Sequence, residues 1–304
     1  MIGAEARQAL VRALGERVRF EVPLGRFTSL RVGGPADALA SPASREELAR
    51  AFEVAGEFGL PVTVLGGGFN TLVLDGGLPG LVLRMNRLRS VEIRQPALVA
   101  EAGVSHARAV RSAADAGLAG LEFGVGIPGT VGGWVVMNAG IGEREIRDVL
   151  TAAEILRPGA RATEWIPAAG LGLGYRAARG LPEGAVVVAA RFGLEPGDRE
   201  RIRRTIRELL DRRAQTQPTR QPSCGSVFKN PPGDFAGRLI EAVGLKGERC
   251  GRAEISRLHA NFIVTGPGAR AAEVLTLIER ARERVHAETG VLLEPEVRIV
   301  GRPG

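Results

Sequence analysis

Residues 121–133 read Leu-Glu-Phe-Gly-Val-Gly-Ile-Pro-Gly-Thr-Val-Gly-Gly, and this stretch decides between two fold classes. Its first three glycines match the G-x-G-x-x-G spacing of a dinucleotide-binding turn, and Asp148 follows about 20 residues later, as in a Rossmann domain. That motif works only between a strand and a helix, whereas here a Pro-Gly pair and then a Gly-Gly pair make a poor helix start. The stretch therefore predicts a close backbone approach to a large flat or anionic ligand, without a Rossmann fold.

Helices and short strands alternate irregularly on either side of this stretch. Apolar periodicity predicts helices at 3–18, 44–58, 105–116, 198–213, 235–243 and 270–288, and strands at 37–40, 61–65, 149–156, 185–192, 260–264, 297–300 and within 81–101. Ser44 and Glu47 are spaced as a capping box, and the region from 260 to 300 is typical of a βαβ-like unit. The mixture of elements predicts the α+β class.

Composition and length narrow the range of protein classes. The chain has 304 residues, of which 44% are hydrophobic and 25% charged, as expected for a globular protein of about two domains. No apolar run reaches the ~20 residues of a membrane span, and the acid-containing start does not resemble a secretory signal. Two cysteines and three histidines leave little room for a disulfide framework, a metal site or a His-based triad. We expect a cytoplasmic protein without membrane insertion or bound metal.

The net charge of +7 does not predict a nucleic-acid partner. Of the 41 basic residues only Lys229 and Lys246 are lysines, and the arginines are scattered over predicted helix faces without a basic block. Aromatic residues make up 4% of the chain, with Tyr175 the single tyrosine, so no stacking platform for bases is apparent. A basic cleft for an anionic cofactor or nucleotide sugar explains the charge equally well.

A second glycine segment, Gly66-Gly67-Gly68, directly follows the apolar strand predicted at 61–65. Successive glycines let the backbone come close to a ligand, and their N–H groups can cradle a diphosphate. No Gly-Lys-Ser/Thr follows, so the segment is not a Walker loop. The alternative interpretation is a flexible turn.

Ten segments taken together resemble one family, that of the UDP-N-acetylenolpyruvoylglucosamine reductases, flavoenzymes of bacterial peptidoglycan synthesis. They are 28–37 (TSLRVGGPAD), 65–72 (LGGGFNTL), 120–123 (GLEF), 126–133 (GIPGTVGG), 137–140 (MNAG), 174–176 (GYR), 222–231 (PSCGSVFKNP), 244–247 (GLKG), 259–262 (HANF) and 293–298 (LEPEVR). The resemblance covers essentially the whole chain. Its specific part is 225–231 together with 296–298, since the glycine segments alone indicate only the wider vanillyl-alcohol-oxidase type of flavin-binding fold.

The resemblance implies noncovalently bound FAD, NADPH as co-substrate, and reduction of UDP-N-acetylglucosamine enolpyruvate to UDP-N-acetylmuramate. It also implies two flavin-binding subdomains, at 1–75 and 76–213, and a substrate-binding domain at 214–304. The flavin-binding residues implied are Arg31, Gly33, Gly66, Gly67, Gly68, Phe69, Asn70, Thr71, Gly126, Ile127, Pro128, Gly129, Thr130, Gly132, Gly133, Asn138, Ala139 and Gly140.

Three positions depart from the usual pattern of the family. Phe69 stands where a small Ser is usual, the segment 141–143 (Ile-Gly-Glu) replaces Ala-Tyr-Gly, and Ala178 stands where Ser is frequent. The departure at Phe69 removes a hydroxyl contact to the diphosphate. The single Tyr175 is similar to the short form of the family, which lacks a Tyr-bearing loop over the substrate.

The resemblance assigns catalysis to Arg176, Ser226 and Glu296, and substrate binding to Tyr175, Lys229 and Asn230. Hydride attack on an enolpyruvyl ether needs a cation for the carboxylate and a proton donor for the resulting carbanion. Arg offers a planar fork to the carboxylate, and a Ser hydroxyl donates well only to a base as strong as an enolate. The other interpretations are a solvated loop Arg, a turn Ser that caps Asn230 or the following helix, and an exposed Glu296–Arg298 pair.

Two rival functions remain open at this point. One is an FAD-dependent alcohol or hydroxy-acid oxidase, a class that often attaches FAD covalently to His or Cys, although no His falls within the glycine segments. The other is a nucleotide-sugar binding regulator without turnover. Cys224 as a nucleophile is disfavoured because no His lies near it in sequence, and we expect it to be a small buried hydrophobic residue.

Overall fold

In the computed structural model, which describes residues 2–304, the chain divides into two compact units. Unit 1 consists of the residues up to Phe20 together with Asp37–Gly67 and Gly80–Asp211. Unit 2 consists of Glu21–Ala36, Gly68–Pro79 and Arg212–Gly304. Each unit has its own apolar core.

The six predicted helices are present with shifts at their ends, while helix α4 and many of the short strands, such as β1 and β12, were not predicted. The α-helices are α1 (Ala4–Leu14), α2 (Arg45–Glu57), α3 (His106–Asp115), α4 (Val131–Val136), α5 (Arg199–Thr216), α6 (Ala236–Ala242) and α7 (Ala271–Thr289). The strands are β1 (Val18–Pro23), β2 (Pro35–Ala40), β3 (Val62–Leu65), β4 (Thr71–Val73), β5 (Leu78–Arg84), β6 (Val91–Arg94), β7 (Ala97–Glu101), β8 (Leu118–Ala119), β9 (Gly140–Ile141), β10 (Arg144–Glu145), β11 (Leu150–Leu156), β12 (Glu164–Pro167), β13 (Leu173–Gly174), β14 (Ala177–Ala178), β15 (Val186–Gly193), β16 (Glu195–Pro196), β17 (Arg249–Cys250), β18 (Ala253–Ile255), β19 (Ile263–Thr265) and β20 (Arg298–Val300).

A four-stranded sheet of order β1-β2-β5-β3, most of whose residues belong to unit 1, forms the first layer of that unit. Strands β3 and β5 are parallel, with Val62 opposite Leu81. Helices α1 and α2 pack together and bury an apolar face that includes Leu10, Leu48 and Phe52. This layer places Gly66 directly after the end of β3.

The second layer of unit 1 is a five-stranded antiparallel sheet of order β12-β11-β15-β7-β6. Helices α3 and α4 belong to its core, where Trp134 and Phe192 are fully buried and meet edge to face. Glu122–Gly124 is a turn of 3₁₀ helix, and β8 before it is a two-residue strand that pairs antiparallel with β16, so the parallel strand of a Rossmann unit does not lead into the G-x-G-x-x-G segment, as predicted. The expectation of a poor helix start was wrong, because α4 begins at Val131 and contains Gly132 and Gly133.

Unit 2 is built around helix α7, which packs against strands β17, β18 and β19. These three strands form one antiparallel sheet, while β20 pairs in parallel with β4, so that Arg298 lies opposite Thr71. The predicted βαβ-like unit at 260–300 is therefore wrong, because the two strands that flank α7 belong to different sheets. The periodicity of the segment was right, but β20 finds its partner far away in sequence.

The predicted capping box of α2 forms in part. The Ser44 hydroxyl accepts a hydrogen bond from the Glu47 amide, as expected of an N-cap. The Glu47 carboxylate turns instead to the amide of Ala43 and to Arg17. Among residues 2–304, no helix is both long and apolar enough to cross a membrane, and no cluster of three or more His, Cys, Asp and Glu side chains could hold a metal ion.

Candidate active site

Gly66 of the first glycine segment lies beside Thr130 of the second, within unit 1. A Cβ atom placed on Gly66 would lie 2.7 Å from the Thr130 hydroxyl oxygen, and one on Gly132 would lie 3.0 Å from the Cβ of Ala102. Gly126 and Gly129 have φ values of 77° and 129°, which L side chains rarely adopt. Glycine is thus favoured by the tight space at Gly66 and Gly132, and by the backbone conformation at Gly126 and Gly129. The flexible-turn interpretation of Gly66 does not account for this fit.

Backbone strain coincides with the predicted site. Within residues 2–304, five residues other than glycine have φ in the left-handed region: Glu21, Arg31, Asn70, Asn138 and Arg176. Four of the five were assigned above to flavin binding or catalysis. Such conformations cost about 1–3 kcal/mol each and persist where the surrounding structure over-determines them, typically at ligand and catalytic sites.

Two buried polar atoms in or next to these segments have no hydrogen-bond partner within the protein. They are the hydroxyl of Ser29, in the 28–37 segment of unit 2, and the indole nitrogen of Trp134, in helix α4 of unit 1. A buried polar group without a partner is costly, and its presence in a functional segment is consistent with a partner that arrives with a ligand.

Arg176 is held by a small polar network in unit 1. One of its terminal nitrogens donates to the Gly140 carbonyl at 3.2 Å, the other lies 3.9 Å from a Glu145 carboxylate oxygen, and the guanidinium packs over the Tyr175 ring. The side chain of Arg176 is 19% exposed. It is therefore not a solvated loop arginine, and its fork is oriented before any substrate binds.

Asn138, fully buried, supports the loop that carries Arg176. Its side-chain nitrogen donates to Glu145 and to the Gly174 carbonyl, both at 2.9 Å, and its side-chain oxygen accepts from the Arg147 amide. Since the amide is engaged at both ends, a direct contact between Asn138 and the flavin would have to use its backbone. Sequence reasoning missed Glu145, which lies at the centre of this network.

Unit 2 brings Ser226, Glu296 and Asn70 together. The Val227 carbonyl accepts from the amides of Glu296 and Val297, so the segment after Ser226 runs beside the segment that carries Glu296. The Asn70 side chain donates to the Glu296 carbonyl at 3.2 Å, and the Asn70 amide donates to the Cys224 carbonyl. Within the described chain the Ser226 hydroxyl makes no hydrogen bond, so it caps neither Asn230 nor helix α6.

Asn261 fixes the backbone next to Ser226, a role that sequence reasoning did not assign. Its side-chain oxygen accepts from the Phe228 amide at 2.9 Å, and its side-chain nitrogen donates to the Phe228 carbonyl at 2.8 Å. Its own carbonyl accepts from the Val227 amide. The motif at 259–262 was visible in the sequence, but this pairing across 33 residues was not.

A pocket of about 430 Å³ opens beside Ser226 in unit 2. Its walls combine exposed apolar groups with polar and charged ones: Ser226, Asn230, Phe235, Gly237, Arg238, Glu241, Leu258, His259, Ala260 and Asn261. Lys229 forms an ion pair with Glu294, and the Asn230 side chain accepts from the Ala236 amide at the start of α6. The predicted substrate residues of unit 2 thus lie at or next to this pocket.

The structure gives little support to Cys224 as a nucleophile or to a histidine that attaches FAD covalently. Burial raises the pKa of the Cys224 thiol to about 12, so a nucleophilic thiolate does not form near neutral pH. His106 does lie against the glycine segment, contrary to the impression given by its sequence position, but both of its ring nitrogens contact backbone carbonyls.

Comparisons with known proteins agree with these observations. The family model of the UDP-N-acetylenolpyruvoylglucosamine reductase C-terminal domain matches residues 217–300, and that of an FAD binding domain matches residues 36–164. The reductase of Rubrobacter xylanophilus is 52% identical over 289 residues, which are 94% of this chain and 96% of that protein. That of Methylococcus capsulatus is 49% identical, over 92% of this chain and 91% of that protein.

Solved structures show the same relationship. The crystal structure of the corresponding reductase (MurB) from Thermus caldophilus matches with a TM-score of 0.82 and 41% identity, covering 93% of this chain and 100% of that one. A glucose dehydrogenase, Phl p 4, matches with a TM-score of 0.53 and 14% identity, over 64% of this chain and 44% of that one. The latter likeness concerns the fold alone.

Proposed function

This chain belongs to the UDP-N-acetylenolpyruvoylglucosamine reductase family, and on that premise we propose how its own residues carry out the reaction. It is an FAD-dependent oxidoreductase that reduces UDP-N-acetylglucosamine enolpyruvate to UDP-N-acetylmuramate with NADPH, a step of peptidoglycan precursor synthesis. The observation that carries this conclusion is 52% identity across nearly the whole length of both chains.

The residues present fit FAD. Gly66 and Gly132 leave little room for a Cβ, and Gly126 and Gly129 adopt a backbone conformation that other residues avoid. A glycine-rich backbone of this kind suits a flat, anionic cofactor. When bound, FAD would supply the hydride transfer between NADPH and the enolpyruvyl ether. The eighteen flavin-binding positions named from the sequence stand as our proposal for its contacts.

Arg176 binds the carboxylate of the enolpyruvyl group in this proposal. As hydride arrives at the vinyl carbon, negative charge develops on the carboxylate side, and a guanidinium already oriented by Gly140 and Glu145 stabilises it without reorganisation. Tyr175, over whose ring Arg176 packs, completes this substrate-binding group.

Ser226 donates the proton that completes the reduction. Its hydroxyl is uncommitted within the described chain, and its position is fixed through the paired backbone of Val227 and Phe228. An enolate is basic enough to take a proton from a hydroxyl. Glu296, on the adjacent segment, polarises the substrate at the carbon that receives this proton.

The pocket beside Ser226 receives part of the nucleotide sugar, with Lys229 and Asn230 as substrate-binding residues. An ammonium suits the anionic groups of such a substrate. The proposed organisation is two flavin subdomains, 1–75 and 76–213, followed by a substrate domain, 214–304. We place the enzyme in the cytoplasm, where its nucleotide-linked substrate would be made.

An anaerobic two-stage experiment tests the function. The purified protein is expected to be yellow, to lose its visible flavin absorbance on addition of NADPH, and to regain it when the enolpyruvyl nucleotide sugar is added. Reduction without reoxidation by this substrate would contradict the assigned reaction. Failure to bind flavin would leave only a nucleotide-sugar binding protein.

A further inference from the structure

His106, the first residue of α3, contacts the proposed flavin-binding loop with both nitrogens of its ring. Nδ1 lies 2.9 Å from the Ile127 carbonyl oxygen, and Nε2 lies 2.9 Å from the Thr130 carbonyl oxygen. Carbonyl oxygens only accept hydrogen bonds, and a neutral imidazole carries a single N–H. Both contacts are therefore satisfied only by the imidazolium form, which donates from both nitrogens.

The surroundings of the ring suit a positive charge although the residue is buried. The Trp134 ring stacks on the imidazole with centroids 4.0 Å apart and an interplanar angle of 15°. A cation over an indole face is the most favourable of the cation–π pairs, and desolvation strengthens it. Two carbonyl dipoles and an indole face together replace the water that a buried imidazolium has lost.

The ring and the backbone around it tie the loop to unit 1 along its length. The His106 amide donates to the Gly129 carbonyl, and the amides of Val131 and Gly132 donate to the carbonyls of Val104 and Ala102. Gly129 lies against the ring, since a Cβ atom there would be 3.3 Å from Cε1 of His106. The imidazole thus spans Ile127–Thr130. From Val131 onward, backbone hydrogen bonds to Val104 and Ala102 hold the chain instead.

The carboxylates on the elements packed around His106 have other partners. Asp115 accepts from Arg203, Glu92 from Arg94, Glu101 from Arg45, and Glu122 from the Gly120 amide. The cations on these elements and beside Phe123 are Arg94, Arg108, Arg111, Arg144 and Arg191, and helix α4 carries no charged residue. The two carbonyls and the indole are contacts that favour the imidazolium.

We propose that His106 is a positioning residue, held as an imidazolium, that fixes the Ile127–Thr130 loop in the conformation that binds FAD. The inference rests on the assignment of this loop to the flavin. When rising pH removes the second ring proton, one carbonyl faces a lone pair instead of a donor. The loop then loses one of its two side-chain ties, and the affinity for FAD falls.

Two measurements on the full-length protein test the inference. In protein labelled with ¹⁵N in the histidine rings, His106 is expected to show protons on both ring nitrogens near neutral pH, with exposed His286 as the internal reference. The Kd for FAD, measured by quenching of flavin fluorescence, is expected to rise with pH between about pH 6 and pH 9.

The variant His106→Gln removes the charge and has both of its N–H donors on one nitrogen, whereas the Ile127 and Thr130 carbonyls face two different nitrogens of the imidazole. Its Kd for FAD is expected to be about tenfold higher than that of the parent near neutral pH and to lose the pH dependence. The matched control His286→Gln changes an exposed histidine in α7 and should retain both the affinity and its pH profile.

A His106 ring with a single N–H near neutral pH, or a parent Kd that is flat over the same pH range, would overturn the inference even if His106→Gln failed to fold. FAD binding with a neutral His106 would leave the proposed function intact. A chain that binds no FAD at any pH would overturn both.

Discussion

The Ser226 hydroxyl is the group on which the proposed proton transfer depends. Gly225 before it has a φ of 88°, which turns the chain, and Asn261 holds the Phe228 backbone after it at both the N–H and the C=O. The backbone of the segment is thus fixed while the hydroxyl itself is uncommitted. A proton donor needs this combination, because a hydroxyl occupied with a cap would have to break that bond first.

We predict that Ser226→Ala separates the two half-reactions. NADPH reduces the flavin before any proton reaches the substrate carbon, so bleaching by NADPH should be nearly unchanged. Reoxidation by the enolpyruvyl substrate should fall at least 10²–10⁴-fold, the usual contribution of a positioned general acid. Anaerobic stopped-flow absorbance measures both steps.

Ser226→Cys should recover part of the rate, since a thiol is a stronger acid of similar reach. Ser90→Ala, an exposed serine of unit 1 whose backbone alone is bonded to Glu101, is the matched control and should behave as the parent. Reoxidation of Ser226→Ala within tenfold of the parent rate would defeat the assignment, and the proton would then come from Glu296 or water.

Local signals were predictable at the level of single residues, and distant pairings were not. The N-cap Ser44 and the glycines of the two segments follow from short-range rules, and the structure confirms them. The contact of His106 with Ile127 and Thr130 and that of Asn261 with Phe228 join residues 21 to 33 positions apart. No periodicity in the sequence encodes such pairs.

At the level of elements, one buried ionic cluster joins helix α2 to the five-stranded sheet of unit 1. Arg45, at the start of α2, donates to both carboxylate oxygens of Glu154 in β11 and to Glu101 in β7. Burial raises the pKa of Glu154, but hydrogen bonds from Arg45 and Thr163 outweigh it, and the net pKa is below its ordinary value of 4.5. The carboxylate is therefore charged and satisfied at neutral pH.

We predict that Arg45→Ala destabilises the protein by about 1–3 kcal/mol. The change leaves Glu154, only 6% exposed, without its guanidinium partner, although the partial exposure of Arg45 moderates the cost. Urea unfolding at neutral pH measures the loss. The matched control is Arg94→Ala, which breaks the exposed pair with Glu92 and should leave the free energy of unfolding nearly unchanged.

The same cluster gives the parent protein an acid-side dependence. Because the folded pKa of Glu154 is depressed, its contribution to stability is present above pH 4.5 and is lost as the pH falls through the folded pKa. The difference in unfolding free energy between the parent and Arg45→Ala should therefore shrink at low pH. A difference that does not change with pH would show that the cluster acts through packing alone.

The strands that flank α7 show where element-level reasoning stops. Their existence and approximate positions were predictable from apolar runs. Their sheet membership was not, because β20 hydrogen-bonds to β4, more than 200 residues earlier, and Asp75 accepts from the first amides of α7 across 196 residues. Two strands that flank a helix form a βαβ unit only if they pair within one sheet, and here the edge strand β4 pairs with β20 instead.

On the scale of the whole molecule, the mode of flavin attachment depends on which nucleophiles the chain offers. Both His106 nitrogens contact carbonyls, His259 accepts from the Asn261 amide through Nδ1, and burial raises the pKa of Cys224 to about 12. Desolvation, followed by the charge of Lys246, lowers the pKa of His259. The best-placed His and Cys side chains are thus committed to the fold.

We predict from this that the enzyme holds FAD without a covalent bond. Acid or heat precipitation of the yellow holoenzyme should release all of the flavin into the supernatant and leave a colourless pellet, because only noncovalent contacts to the glycine segments and their neighbours need to be broken. Absorbance and fluorescence of the two fractions, followed by mass measurement of the denatured chain, quantify the release.

A matched sample of a flavoprotein with covalently attached FAD, treated in the same way, should keep its colour in the pellet. A chain mass increased by that of FAD would contradict the prediction, and variants of His106, His259, His286, Cys224 and Cys250 would then identify the attachment point. Full release would also separate this enzyme from flavin oxidases that attach FAD covalently.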